Sequence, residues 1–225
     1  MDRELGFVNA MFTVPIVHYP IENWSENKKK ILDALPAEDE TQLQFEDLLT
    51  DPKENGLYTD FFINSKAGKE YIPSYFHTVL GVIKPCIADL TERVVYDAKG
   101  EPSRLFGEKS LEFVDMWYQK YYKNVEHKVH CHGNSGWSAV IYVEFDPEVH
   151  HSTMFYSPFR KPWNGNIETF QPPISEGDMI IFPSSILHEA PMNRSDKRRT
   201  IISFNIRGHV DTVKHVESTI WDDKK

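Results

Sequence analysis

The pattern of apolar and polar positions changes character about halfway along the chain. Before residue 110 it is helical or irregular. FTVPIVHYP (12–20) reads as an extended segment interrupted by proline. SENKKKILDALP (25–36) predicts a helix with Ser25 as N-cap and Pro36 as its stop. Residues 37–64 are polar and turn-rich around one short apolar piece, YTDFFI. Residues 73–95 carry apolar side chains at helical spacing, and Pro85 inside them predicts a kink or a pair of helices. DAKGEPS (97–103) reads as a loop.

After residue 110 the period shortens toward two. LEFVDMWYQKYY (111–122), WSAVIYVEF (137–145), STMFYSP (152–158), EGDMIIFP (176–183) and RRTIISFNIRG (198–208) each predict a strand. The fourth opens on a Glu-Gly-Asp turn. Short strands separated by turns point to a sandwich or barrel. No linker interrupts the chain, so the expected organisation is one domain over 1–225. Its helical N-terminal part runs to about 108 and its β core covers about 109–210. WDDKK at the end reads as a frayed tail.

Composition narrows the function classes. At 225 residues and 40% hydrophobic, the chain can bury a sizeable core. The formal charge of −9 argues against binding a nucleic-acid backbone. The N-terminus does not read as a signal peptide, and no apolar run is long enough to cross a membrane. Two cysteines, Cys86 and Cys131, are too few for a disulfide scaffold and suit a reducing, cytoplasmic setting. Exposed edge strands would permit a homodimer.

The candidate chemistry lies in HKVHCHGNSGW (127–137), where three of the ten histidines crowd ahead of a strand. In an extended chain, residues i and i+2 share a face. His130 and His132 would then project side by side, and two neutral imidazoles begin a site for iron, zinc, copper or nickel. A third ligand must come from elsewhere, and His188, just after an apolar strand, is the best candidate. Arg199 opens the last strand, with Ile201 and Ser203 on its face and Thr200, Ile202 and Phe204 on the other. A cation and a hydroxyl on one face suit an anionic ligand in a barrel mouth. The order of these features fits a double-stranded β-helix.

Other residues have plainer readings. His127 reads as a solvated loop histidine, and His150 and His151 as turn residues. Cys131 should alternate away from the metal and be a buried thiol. Asn134 could line the pocket. Trp137 and Phe155 read as core or pocket wall. FRKPWNG (159–165) reads as a loop over the site mouth or an ordinary surface turn.

Taken together, these residues resemble the iron(II)- and 2-oxoglutarate-dependent oxygenases, and within them a subgroup found in bacteria and phages. The resemblance is carried by His130-Cys131-His132, Ser138-Ala139-Val140-Ile141-Tyr142, Gly177-Asp178, Phe182-Pro183-Ser184, His188, Arg199 and Ser203-Phe204-Asn205. It is strong over about 112–208. It implies a jelly-roll, cupin-like double-stranded β-helix with the N-terminal helices packed on it. It also implies Fe(II) as cofactor, 2-oxoglutarate and O2 as cosubstrates, and hydroxylation of a C–H bond. The substrate would be a small molecule or a protein side chain. His130 maps to the first ligand, His188 to the distal ligand and Arg199 to the 2-oxoglutarate anchor. His132 falls where most of the superfamily has a carboxylate, so the third ligand is His132 or a carboxylate such as Glu126, Asp146 or Glu189. Many relatives carry a hydroxyl two residues after the arginine, where this chain has Ile201. Arg198-x-Thr200 is the alternative phase for the anchor. With Arg199, the hydroxyl would come from Ser203, Tyr142, Tyr118 or Ser138. Two other functions compete: a cupin-like three-histidine dioxygenase independent of 2-oxoglutarate, and a non-catalytic metal-binding β-sandwich.

Overall fold

The structure, a computed structural model, describes residues 14–37, 56–61, 72–96, 102–104, 111–133 and 136–208. Asn134, YTDFFI beyond Phe61 and the C-terminal tail lie outside them. Two antiparallel sheets face each other. The larger uses β1 (Val17–Pro20), β2 (Leu57–Thr59), β5 (Leu111–Tyr121), β7 (Trp137–Glu144), β10 (Asp178–Pro183) and β12 (Arg199–Gly208), in the order β1-β10-β7-β12-β5-β2. The smaller uses β6 (His127–His130), β8 (Met154–Arg160), β9 (Ile167–Phe170) and β11 (His188–Ala190), in the order β6-β11-β8-β9. The expected jelly-roll core is present, and from β5 to β12 successive strands alternate between the two sheets except β8 and β9, which pair with each other.

Alternation along the central strands divides the interior in two. Met116, Tyr118, Ala139, Ile141, Val143, Met179, Ile181, Ile202 and Phe204 form one buried cluster with helices α1 (Trp24–Ala34) and α2 (Phe76–Glu92). Ile31 of α1 and Val79, Ile83 and Leu90 of α2 are fully buried there, at helical spacing. Tyr121, Val140, Tyr142, Ile180, Phe182 and Ile201 point the opposite way and pack toward the smaller sheet with Phe155. The large sheet thus has a structural face and a site face.

Three local expectations are corrected. Asn23, not Ser25, occupies the N-cap of α1. It sits at φ 51°, and its carbonyl accepts the N–H groups of Glu26 and Asn27. Tertiary packing sets this start. Trp24 lies against Gly177, where a Cβ would stand 2.5 Å from the indole Cγ, so only glycine leaves room. Pro85 lies within one helix and does not split it into two. The expected helix end at 94–95 and the last two residues of the expected loop, 102–103, instead lie in two short paired strands, β3 (Val94–Tyr96) and β4 (Pro102–Arg104), while 97–101 lie outside the described residues. β2, β6, β9 and β11 were not anticipated as strands; each is three or four residues long, too short to show a period.

Asp60 ties the segment after β2 to the sheet. It is buried, accepts the Tyr75 hydroxyl at 2.7 Å and the Tyr118 N–H at 3.0 Å, and burial still pushes its pKa up to about 6. A carboxyl whose pKa is higher folded than unfolded stabilises fully below its unfolded pKa, and that contribution is lost as pH rises through 6. Asp60→Asn does not ionise, and it can keep both contacts if its Oδ1 accepts the Tyr118 N–H and its NH2 donates to the Tyr75 hydroxyl oxygen, reversing that bond. Its stability relative to wild type should therefore improve by about 2–3 kcal/mol between pH 4 and pH 8. Urea unfolding at the two pH values checks this, and an unchanged difference would refute it.

Candidate active site

His130 ends β6, and β11 pairs with it so that His188 stands opposite. His132 lies two residues beyond, where its N–H donates to the Ser184 carbonyl at 2.8 Å and fixes it between the sheets. The three rings converge, with centroids 5.1 Å apart for His130–His132, 4.4 Å for His130–His188 and 5.0 Å for His132–His188. One ligand-capable atom from each lies within 4.8 Å of the others. Among the described residues this is the only group of three or more potential metal ligands. Glu126 is exposed, Asp146 pairs with Lys197, and Glu189 lines the cavity without joining the group.

The tautomers are set by what each Nδ1 faces. His130 Nδ1 lies 2.6 Å from the Lys128 carbonyl and His188 Nδ1 2.8 Å from the Ile186 carbonyl. His132 Nδ1 lies 2.9 Å from Asn205 Oδ1 and 3.0 Å from the Ser138 hydroxyl. Carbonyl oxygens only accept, so each Nδ1 carries the proton and each Nε2 keeps its lone pair. Burial, reinforced by the neighbouring histidines, pushes the His188 pKa down to about 3 and lowers that of His130, and burial alone lowers that of His132. Neutral imidazoles with free Nε2 atoms are what a divalent cation requires, so the donor set fits the iron the resemblance implies.

His127 is not a solvated loop residue. It lies on β6 with its ring stacked on His130 at 3.9 Å, and its Nδ1 faces the Gln119 amide at 3.3 Å. Burial and the adjacent histidines push its pKa down to about 4. Cys131 stays outside the group of converging ligands but is exposed rather than buried, and it borders the wider cleft that His130 and His132 also line.

Behind the histidines lies a narrow cavity of about 20 Å3, bounded by Trp117, Gln119, Tyr121, Val140, Thr153, Ile201 and Ser203. That is room for about one water, so a dicarboxylate enters only if the walls move. Arg199 is 2% exposed next to it, stacked over Tyr121 at 4.4 Å. One of its terminal nitrogens donates to the His151 carbonyl at 2.9 Å. Its Nε and other terminal nitrogen have no hydrogen-bond partner, nor do Tyr121 Oη and Trp117 Nε1. Trp117 and Tyr121 line the cavity and Arg199 stacks on Tyr121, and four orphaned polar atoms so close together are costly unless a ligand satisfies them. Arg198 points to the opposite face. It grips Glu144 through two 2.8 Å bonds, and Thr200 donates to the same carboxylate.

The predicted hydroxyls separate by face. Ser203 lines the cavity. Tyr142 is on the site face, its hydroxyl held by Thr153 at 2.8 Å. Ser138 is committed to His132, Ser184 and Asn205. Tyr118 is a correction: β5 alternation buries it on the helix-covered face against Tyr75, away from Arg199. Trp117, Gln119 and Tyr121 of the same strand line the cavity instead, and the alternation of LEFVDMWYQKYY could have revealed them. Phe155 is pocket wall, packed on Phe182 and His188. The segment 159–165 belongs to the exposed β8–β9 hairpin, and none of its residues lines the cavities at the histidines. His150 is buried between Asp146 and the Lys197 carbonyl, outside the metal cluster.

Residues 115–205 match the family described as "Putative 2OG-Fe(II) oxygenase". Over this segment, two fifths of the chain, the sequence is similar to the 2OG-Fe(II) oxygenase family. The match spans all three clustered histidines and Arg199. Solved structures share the oxygenase fold at low identity. One is the non-heme alpha ketoglutarate dependent epimerase SnoN from nogalamycin biosynthesis, at TM-score 0.55 and 16% identity, covering 86% of this chain and 77% of that one. Another is a Trichoplax adhaerens prolyl hydroxylase in complex with a hypoxia inducible factor peptide fragment, at TM-score 0.52 and 10% identity, covering 90% and 86%. HygX from Streptomyces hygroscopicus, with nickel, 2-oxoglutarate and hygromycin B bound, gives TM-score 0.52 and 12% identity over 87% and 84%. No curated protein matches the chain. Among the described residues no helix is long and apolar enough to cross a membrane.

Proposed function

We propose that the chain is a single-domain, cytoplasmic iron(II)- and 2-oxoglutarate-dependent dioxygenase that hydroxylates a C–H bond. One observation carries this reading: three histidines with free Nε2 atoms border a narrow cavity, and a buried guanidinium with two unpartnered nitrogens stacks on Tyr121 in the wall of that cavity. A metal site alone would not need the arginine. A site for a metal chelated by a small dicarboxylate needs both.

His130, His132 and His188 would hold the metal through Nε2. Arg199 pairs with the distal carboxylate, its two orphaned nitrogens donating and Tyr121 adding a third donor. Ser203 closes the cavity between them. When bound, iron(II) and 2-oxoglutarate supply the oxygen activation: oxygen is consumed, 2-oxoglutarate leaves as succinate and carbon dioxide, and the substrate gains a hydroxyl. The substrate cleft is the larger space of about 540 Å3 that shares His127, His130, His132, Trp117 and Gln119 with the narrow cavity. Leu57 and Phe61 supply its apolar wall, which excludes water and accepts a small molecule or a side chain.

Anaerobic titration of the iron(II)-loaded protein with 2-oxoglutarate tests the reading. A visible charge-transfer band should appear and saturate at one equivalent. Iron bound with no band would favour a three-histidine dioxygenase that does not use 2-oxoglutarate, and no iron bound would favour a non-catalytic β-sandwich.

A further inference from the structure

We propose that Asp115 is a positioning residue for the metal centre: acting through Asn205, it locks His132 in the tautomer that ligates through Nε2. The inference rests on the metal-centre reading above. It also answers a question that reading raises, namely how a histidine serves where a carboxylate would bring negative charge.

The argument is one of hydrogen-bond direction. Asp115 and Asn205 are directly paired across β5 and β12, and Asn205 is paired with Ser138 across β12 and β7. Both hydrogen bonds that hold the Asp115 carboxylate come from Asn205, side chain and backbone. The side-chain bond is 2.7 Å, from Asn205 Nδ2. A carboxylate only accepts, so the Asn205 amide must turn its NH2 toward Asp115 and its carbonyl toward His132. That carbonyl lies 2.9 Å from His132 Nδ1 and also accepts the Ser138 hydroxyl at 2.7 Å. The proton of His132 is thereby confined to Nδ1. His130 and His188 obtain the same tautomer from neutral backbone carbonyls. Among the three, only His132 has a chain ending on a carboxylate, which places a negative charge two hydrogen bonds from the ring.

A β-bulge makes the chain possible. Pairing between β12 and β5 slips between Asn205 and Ile206, so that Ile206 opposes Phe113 and Val114 is the extra residue. Phe113 packs on the structural face with Phe76 and Phe204, whereas Asp115 lines the cleft with His132. In a regularly alternating strand two residues two apart would fall on one face, and the bulge at Val114 separates them.

The test uses the full chain loaded with cobalt(II), comparing wild type with Asp115→Asn and Asn205→Ala. Asp115→Asn is nearly isosteric and removes only the obligate acceptor. Two quantities are read: cobalt affinity by titration, and the exchangeable, hyperfine-shifted ring N–H signals in the proton spectrum, one for each histidine bound through Nε2. Wild type should show three signals. Both variants should bind cobalt about 10- to 100-fold more weakly, the range typical when an outer-shell partner of a metal ligand is lost. The signal assigned to His132 by its dipolar contacts with the Trp117 ring, 5.5 Å away between centroids, should shift or exchange away, while the other two stay. A general loss of structure would disturb all three. Affinities within two-fold of wild type with all three signals in place would overturn the proposal. Wild-type protein that bound no cobalt would overturn the metal-centre reading, and this inference with it.

Discussion

Arg199→Met should leave the apo protein as stable as wild type or more so, while removing its response to 2-oxoglutarate. Two opposite effects follow from one buried charge. In the apo protein the guanidinium is 2% exposed, with one hydrogen bond to a backbone carbonyl, one aromatic face beneath it and two unpartnered nitrogens. Burial pulls its pKa down, which is the signature of a charge held where it is poorly solvated. Replacing an incompletely paired buried charge by an apolar side chain of similar length is often neutral or stabilising. The His151 carbonyl it leaves is on an exposed residue, where water can replace the lost donor. With 2-oxoglutarate bound, the arginine pairs with a carboxylate in a dry cavity, and losing one partner of such a pair costs about 2–5 kcal/mol, roughly 30- to several-thousand-fold in Kd. Differential scanning calorimetry with and without 2-oxoglutarate, on metal-loaded protein, reads both effects. The wild type should gain melting temperature on adding the cosubstrate, and the variant should gain none. Arg198→Met serves as the control: it breaks the ion pair with Glu144 on the other face and should keep the gain. If Arg198→Met lost the gain and Arg199→Met kept it, the anchor would be misassigned.

How much of this the sequence revealed depends on element length. The long strands β5, β7, β10 and β12 have enough residues to show period two, and their faces follow from it. Arg199, Ile201 and Ser203 do share the site face, and Thr200, Ile202 and Phe204 the other. β6 and β11, which carry His130 and His188, are four and three residues long and show no period, so the histidines were found by residue type and spacing. Tyr118 was misplaced because its role was judged by residue type and not by counting alternation from Trp117. The bulge at Val114 is a different failure. It depends on which residue of β12 opposes which of β5, a relation between distant segments that no local window contains. Asp115 and its link to His132 were therefore invisible. So was the N-cap of α1, which is set by Trp24 meeting Gly177 across 153 positions.

His188→Ala should abolish stoichiometric metal binding, and His127→Ala should not. The two residues look alike by composition and lie in one cluster, but the geometry separates them. His188 is 5% exposed, stands opposite His130 in the β6–β11 ladder and has its Nδ1 committed to Ile186. Its Nε2 is thus held toward the other two rings without further conformational cost. His127 lies flat on His130, with its Nδ1 facing Gln119, and is not among the three converging ligands. Losing a direct ligand should weaken the metal by more than the 10- to 100-fold that follows loss of an outer-shell partner. His188→Gln preserves volume beside Phe155 and Phe182, so agreement between the Ala and Gln variants separates lost ligation from a cavity in the core. The buried imidazoles add a pH signature. A histidine with its pKa lowered to about 3 stays neutral in the folded apo protein well below pH 6, whereas a free imidazole titrates near 6.5. Metal affinity should therefore change little between pH 8 and pH 6. Between the folded and unfolded pKa values the unfolded chain binds more protons, so the apo protein should lose stability as pH falls below about 6.5. Cobalt titrations at several pH values, run beside apo-protein unfolding, report both. A cobalt affinity that fell about ten-fold per pH unit through 6.5 would mean that the histidines are solvated and not held neutral, and would remove the basis for a preformed site.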